Sequence, residues 1–299
     1  MGLSADKLRT LDEHLRVNYI DQQRYAGVVT GICRHGELIH VSPLGFRDME
    51  RKLPVERDTI FRIYSMSKPI TSVALMTLYE QGMFQLDDPV SEYIPQFKNL
   101  EVFDSGVFGD FETTRVNREM TVRDLLSHQS GLTYGFVNRT NVDRAYREAG
   151  VGEIRTTGSL QKMIDCLSEI PLEFSPGDRW NYSVSTDVCG YLVEVISGKS
   201  FDVFLDEVIF QPLGMVDSGF YVKESEKERE SIDEVIYVLP NQYKLNIDQL
   251  LFEMIVSLWR CHPSLHRQTP TYCTKLIGLD SVQLHAIMCL WMEWGDRDS

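Results

Sequence analysis

The stretch YAGVVTGICRHGELIHVSPLGF, Tyr25–Phe46, alternates apolar and polar residues on both sides of His35-Gly36. A side-chain period of two, broken by a turn dipeptide, fits a β-hairpin and not a helix. Sheet therefore begins early in the chain. From Ser65 to Ser231 the recurring apolar period is helical instead, so strands come first and helices afterwards, an α+β (mixed α/β) arrangement. The hairpin takes up about residues 25–50 and the helical region about residues 65–215.

Leu8, Leu11 and Leu15 share one face of an amphipathic first helix. FRIY, Phe61–Tyr64, is expected as a short strand or an approach to one, and SMSKPITSVALMTLYEQG as a helix that closes at Gly82 with Pro69 in its first turn. LDDPVSEYIPQF and the glycine-rich SGVFGDFETT read as loops with short helices. Thr121 stands three residues before Asp124 in TVRDLLSHQSGL, a capping-box spacing for a helix that ends at Gly131. A polar, irregular stretch runs to about Gly158, followed by the helix SLQKMIDCLSEIP, the turn SPGD and the periodic segment STDVCGYLVEVISG. The charge run KESEKERE, Lys223–Glu230, reads as a solvated helix face or a linker.

With 43% apolar residues, the 299-residue chain can bury a large core. A formal net charge of -14 repels phosphate backbones and anionic membranes, so nucleic acid is not expected as a partner. The amino terminus has no apolar run behind a basic cluster. LLFEMIVSLW, which includes Glu253, is about half of the roughly 20 residues that cross a bilayer. No signal peptide or membrane span is expected, and a cytoplasmic location follows. Six cysteines without a C-x-x-C pair are then read as reduced thiols. Cys261, His262 and His266 match no zinc template, so neither metal nor cofactor is assigned.

The last 68 residues, Ile232–Ser299, hold three of the four tryptophans and three of the six cysteines but two of the 20 glycines, which leaves few turn signals to organise a sheet. The chain accordingly divides into a domain over residues 1–231 and a divergent tail over 232–299, as a shifted reading frame or an alternative exon would leave it. In the tail, VIYVL (Val235–Leu239) offers one β-type segment and QLLFEMIVSLW is helical or ambiguous.

Chemistry concentrates in IYSMSKPITSVALM, Ile63–Met76. A serine hydroxyl needs a base within hydrogen-bond reach to act as a nucleophile, and residues three apart on a helix share a side, so Ser65 and Lys68 can meet. A helix amino terminus adds a positive dipole end and free N–H groups for a developing oxyanion. To act as base Lys68 must give up its own proton, which calls for a partly dry pocket. Ser-x-x-Lys is expected roughly once in a chain of this size, and Ser4–Lys7 is a second instance. Taken singly, Ser65 reads as a helix cap and Lys68 as a surface charge, while Tyr182, just after SPGDRW, reads as a half-buried aromatic.

The succession FRIYSMSKPITSVALMTLYEQG, LDDPVSEYIPQF, TVRDLLSHQSGLTYGF and FSPGDRWNYSVSTDVCGYLVEVISGKSFDVFLDEVIFQPLGMVDSGF closely resembles the serine β-lactamase-related family, which comprises class C β-lactamases, D-alanyl-D-alanine carboxypeptidases and esterases of β-lactamase fold. The likeness covers roughly residues 5–231. It implies a β-lactamase/transpeptidase-like fold, an antiparallel sheet flanked by helices with a helical subdomain. It further implies that Ser65 is the acylated nucleophile, Lys68 its proton partner and Tyr182 the tyrosine of the family's Tyr-x-Asn, as general base or acid.

Val184 stands where that asparagine would be, and valine cannot hydrogen-bond the side-chain amide of a lactam. The esterase branch is the closer likeness. The family's third element, a Lys-Thr-Gly, His-Thr-Gly or Trp-Gly-Gly on a C-terminal strand, has no counterpart between Ile232 and Ser299 beyond the faint echo Trp294-Gly295. The C-terminal strands are therefore expected to be missing or replaced. Two functions follow: a serine hydrolase acting on a small-molecule ester or amide, or an inactive homologue or truncated product that binds without turnover. An α/β-hydrolase is disfavoured because no G-x-S-x-G elbow occurs; HQSG, His128–Gly131, is the nearest imitation.

Overall fold

The computed structural model describes residues 4–152 and 158–230. VIYVL, QLLFEMIVSLW, the Cys261, His262 and His266 group and Trp294-Gly295 all lie outside the described residues. The protein is a mixed α/β molecule with antiparallel sheets and helices. Its described residues divide into two compact units, one built from residues 4–64 with residues 219–230, the other from the described part of Ser65–Ser218.

In the first unit, helix α1 (Ala5–Leu15) runs into a π-helical turn and then the hairpin. Strand β1 (Gly27–Arg34) pairs antiparallel with β2 (Glu37–Asp48), Gly27 opposite Gly45 and Ile32 opposite His40, and β2 pairs onward with the short β3 (Leu53–Pro54). His35 and Gly36 carry φ of 52° and 80°, the two positive values of a type I′ turn, whose twist matches that of the strands it joins. FRIY forms no strand. Beside it the Ile60 N–H donates to the Arg229 carbonyl at 2.8 Å, and the Arg62 guanidinium donates twice to Glu230, at 2.9 and 2.7 Å. The charge run is thus not simply solvated: it forms a 3₁₀ helix, Glu224–Arg229, whose end is bonded to the segment before Ser65. Cys166 and Cys189 are free thiols as read, whereas Cys33 is disulfide-bonded, because spacing along the chain says nothing about which cysteines a fold brings together.

The second unit holds the main core. Helix α2 (Ser67–Glu80) buries Thr71, Ala74, Leu75 and Leu78. SGVFGDFETT, read as a loop, is instead part of a second hairpin, β4 (Glu101–Val107) with β5 (Asp110–Arg115). Gly109 lies in the turn of that hairpin and Gly106 in β4 opposite Phe111, while the register shifts between Phe103 and Ser105; Gly106 and Gly109 hold φ of 95° and 88°, and a Cβ on Gly106 would meet the Asp110 carbonyl at 2.2 Å. Helix α3 (Val122–Leu126) has the expected capping box from Thr121 and Asp124 but stops before Gly131. There His128 turns left-handed at φ 55°, and the chain folds back. The polar stretch read as irregular contains helix α4 (Asn141–Ala149), started by a second capping box between Thr140 and Asp143 and burying Val142, Ala145 and Tyr146.

Helices α5 (Leu160–Leu167), α6 (Ser185–Ser197) and α7 (Phe201–Leu205) complete the unit. Helix α6 packs against α2, α3, α5 and α7, with Val188, Cys189, Leu192 and Val193 fully buried. Burial of one such aliphatic side chain is worth about 1.5–3 kcal/mol, so the α2–α6 contact is a firm mount for whatever stands at the amino ends of the two helices. Among the described residues no helix is long and apolar enough to cross a membrane.

Candidate active site

Ser65 lies in a single 3₁₀ turn, Tyr64–Met66, that runs directly into α2. Tyr64 enters that turn at φ 42°, a left-handed conformation that a side chain resists. Lys68 follows in the first turn of the helix, so its amine and the Ser65 hydroxyl share a side: Nζ donates to Oγ at 3.5 Å. Tyr182 comes from the loop before α6 and donates its hydroxyl to Ser65 Oγ at 2.8 Å. The three residues singled out by sequence thus meet, although Tyr182 is 117 positions from Ser65. The other Ser-x-x-Lys stays apart: Ser4 stands at the start of α1, and both Ser4 and Lys7 are exposed.

Aromatic rings surround the amine. Lys68 Nζ sits 4.8 Å from the Tyr182 ring centroid and 5.5 Å from that of Tyr134, distances at which a ring face attracts a cation. The Tyr134 hydroxyl donates to Asp187 Oδ2 at 3.1 Å. Asp187 is open to water yet closely surrounded by protein atoms, as a group in a recess is. This burial raises its carboxyl above the usual range, an effect that Lys68 and the Tyr134 hydroxyl oppose. Burial likewise pushes the Tyr134 hydroxyl upward.

Behind Tyr182 lies a chain of buried polar groups. His128 Nδ1 is 3.3 Å from Ser183 Oγ, Ser183 Oγ is 2.7 Å from Ser185 Oγ, and Ser185 Oγ is 2.6 Å from Ser130 Oγ. The Leu132 N–H closes the line by donating to Ser130 Oγ at 3.2 Å. Burial, and secondarily the charge of Lys68, push the His128 imidazole down to about 3, so it is neutral at physiological pH. Its ring tilts against that of Tyr182 at a centroid distance of 5.1 Å. The Asn181 N–H donates to the His128 carbonyl at 2.9 Å, which fixes the backbone just before Tyr182.

Sequence reasoning did not find His128, Tyr134 or Asp187. His128 was seen only inside HQSG, and its left-handed φ is the local cause of the fold-back that brings it to Tyr182. Asp187, in the first turn of a helix, was indistinguishable from an ordinary dipole partner. Val184 is fully buried, so it presents no group to the site. Among the described residues no cluster of three or more His, Cys, Asp or Glu could hold a metal ion. The geometry sets one hydroxyl between two groups able to exchange a proton, at the positive end of a 14-residue helix.

The family model described as Beta-lactamase matches residues 9–234. Esterase EstB of Burkholderia gladioli is 32% identical over 229 residues, covering 76% of this chain and 54% of the esterase. Monacolin J acid methylbutanoyltransferase of Aspergillus terreus is 29% identical over 229 residues, covering 74% and 54%. Among solved structures, EstCE1, a hydrolase with promiscuous acyltransferase activity, superposes with a TM-score of 0.66 at 29% identity, covering 76% of this chain and 56% of that one. Unliganded simvastatin synthase (LovD) from Aspergillus terreus gives 0.64 at 26% identity, covering 76% and 58%. The chain spans about half the length of the curated relatives it matches.

Proposed function

Because this chain belongs to the beta-lactamase family, we propose that it is an acyl-transfer enzyme, a serine hydrolase that acts on small-molecule esters or amides through an acyl-enzyme on Ser65. The observation that carries the reading is the 2.8 Å hydrogen bond between Tyr182 and Ser65, made beside the Lys68 amine. Ser65 Oγ attacks the carbonyl carbon of the substrate and loses its proton to Tyr182 or Lys68, whichever is in its basic form. The same pair passes that proton to the leaving alcohol or amine as the carbonyl re-forms. Water then adds to the acyl-enzyme, gives a proton to the same pair, and releases the acid as Ser65 takes the proton back. The positive end of α2 favours the negative charge on the carbonyl oxygen in both additions.

The relatives include a named esterase and named acyl transferases, which supports ester substrates. The burial of Val184 points the same way, since no amide is offered there to a lactam side chain. Hydrolysis of a short-chain p-nitrophenyl ester is expected to be faster than that of nitrocefin and to vanish in Ser65→Ala. Faster nitrocefin hydrolysis, or turnover that survives the substitution, overturns the reading.

One observation favours a second reading. No Lys-Thr-Gly, His-Thr-Gly or Trp-Gly-Gly triplet occurs between Ile232 and Ser299. Loss of one oxyanion donor costs about 10²–10³ in rate, so a chain lacking that element would bind at this site without useful turnover. Ser65-dependent turnover well above background excludes this alternative.

A further inference from the structure

Four rings form a band through the candidate site. Tyr134 stacks on Phe136 with centroids 4.8 Å apart and planes 20° apart. Tyr134 and Tyr182 are 5.3 Å apart, and Tyr182 stacks with Trp180 at 6.5 Å and 26°. The two inner rings carry Lys68 over their faces, and one of them bonds Ser65. The two outer rings are open to solvent, Phe136 at 50% and Trp180 at 36% exposure.

Single exposed aromatics are ordinary on a protein surface. Two of them flanking, in near-parallel planes, the rings that hold a candidate nucleophile are not scattered singly. A polar acyl or alcohol group would gain nothing from such exposed ring faces. A flat aromatic group would gain offset stacking and the removal of ring surface from water. We propose that Phe136 and Trp180, at the two ends of this band, each offer a ring face to a planar aromatic group of the substrate, so that the preferred substrates are esters carrying an aryl group on the acyl or the alcohol side. This rests on Ser65 being the acylated residue, since it places the aryl group relative to the bond that breaks.

Wild type, Phe136→Ala, Phe136→Leu and Trp180→Ala are compared in hydrolysis of ethyl acetate, 2-naphthyl acetate and ethyl 2-naphthoate. Binding of 2-naphthol by the same proteins is followed in parallel by NMR titration. The alanine variants are expected to raise KM for one or both naphthyl esters, and the Kd for 2-naphthol, by about three- to tenfold, the worth of one stacked pair. Values for ethyl acetate stay within about twofold. Phe136→Leu, which keeps an apolar side chain but removes the ring face, is expected to follow Phe136→Ala. The naphthyl ester that responds reports whether the aryl group sits on the acyl or the alcohol side.

Equal changes for all three esters, or no change in KM and Kd, overturn the inference. Should no ester be turned over while 2-naphthol binds and the variants weaken it, the recognition site stands and the hydrolase reading falls. Ser65-dependent turnover without any naphthyl selectivity has the opposite meaning.

Discussion

Acid is expected to destabilise this protein through one buried imidazole. His128 is 7% exposed and is held at about 3 by burial, with the Lys68 charge as a second cause. In the unfolded chain an imidazole titrates near 6.5, so below about that pH the unfolded state takes up a proton that the folded state refuses. The stability contributed by neutral His128 is therefore complete above about pH 6.5 and is lost as pH falls toward 3. At about 1.4 kcal/mol per pH unit the loss reaches about 2 kcal/mol at pH 5. His128→Asn is the informative substitution, because asparagine tolerates the left-handed φ of 55° and keeps a group able to bond Ser183. Urea unfolding of both proteins at pH 7.5 and pH 5.0 should show wild type losing about 2 kcal/mol more than the variant between the two. Equal losses, or an NMR titration that places His128 near its free value, would show that this imidazole is not the source of the acid sensitivity.

Tyr182→Phe removes the hydroxyl bonded to Ser65 and is expected to slow acylation by about 10²–10⁴-fold, measured as ester turnover. Its unfolding free energy should change by only about 1 kcal/mol, the net worth of one hydrogen bond. Gly106→Ala is expected to lower the melting temperature more than Gly109→Ala, because both positions hold positive φ but only a Cβ at 106 meets a carbonyl oxygen. Asp124→Ala removes the carboxylate half of the α3 capping box and the acceptor of two Arg118 bonds, at 2.6 and 2.8 Å. By chemical denaturation it should cost about 2–4 kcal/mol, the sum of half a capping box and a broken, partly buried ion pair.

What could be read from the sequence was local. The hairpin broken at His35-Gly36, the cap at Thr121 and the meeting of Ser65 with Lys68 each depend on residues close in the chain, whose geometry a regular element fixes. The second hairpin escaped because Gly106 and Gly109 resemble loop formers, whereas their positive φ serves a strand position opposite Phe111 and a tight turn. Helix α4 escaped although Thr140 and Asp143 have the same spacing as the cap that was recognised; its polar surface masked the buried face of Val142, Ala145 and Tyr146. The approach of Tyr182 to Ser65 could be named only through family likeness. The surroundings of the site, with His128 turned back on Tyr182 and Asp187 under Tyr134, arise from tertiary packing around α6 and have no periodic signature.

Ser65 is the hydroxyl expected to become acylated. Treatment of the chain with a fluorophosphonate, followed by proteolysis and mass mapping, locates the acceptor. One adduct per chain is expected, on the peptide carrying Ser65, absent in Ser65→Ala and strongly reduced in Tyr182→Phe. An adduct on another serine, or equal labelling of wild type and Ser65→Ala, would contradict this assignment.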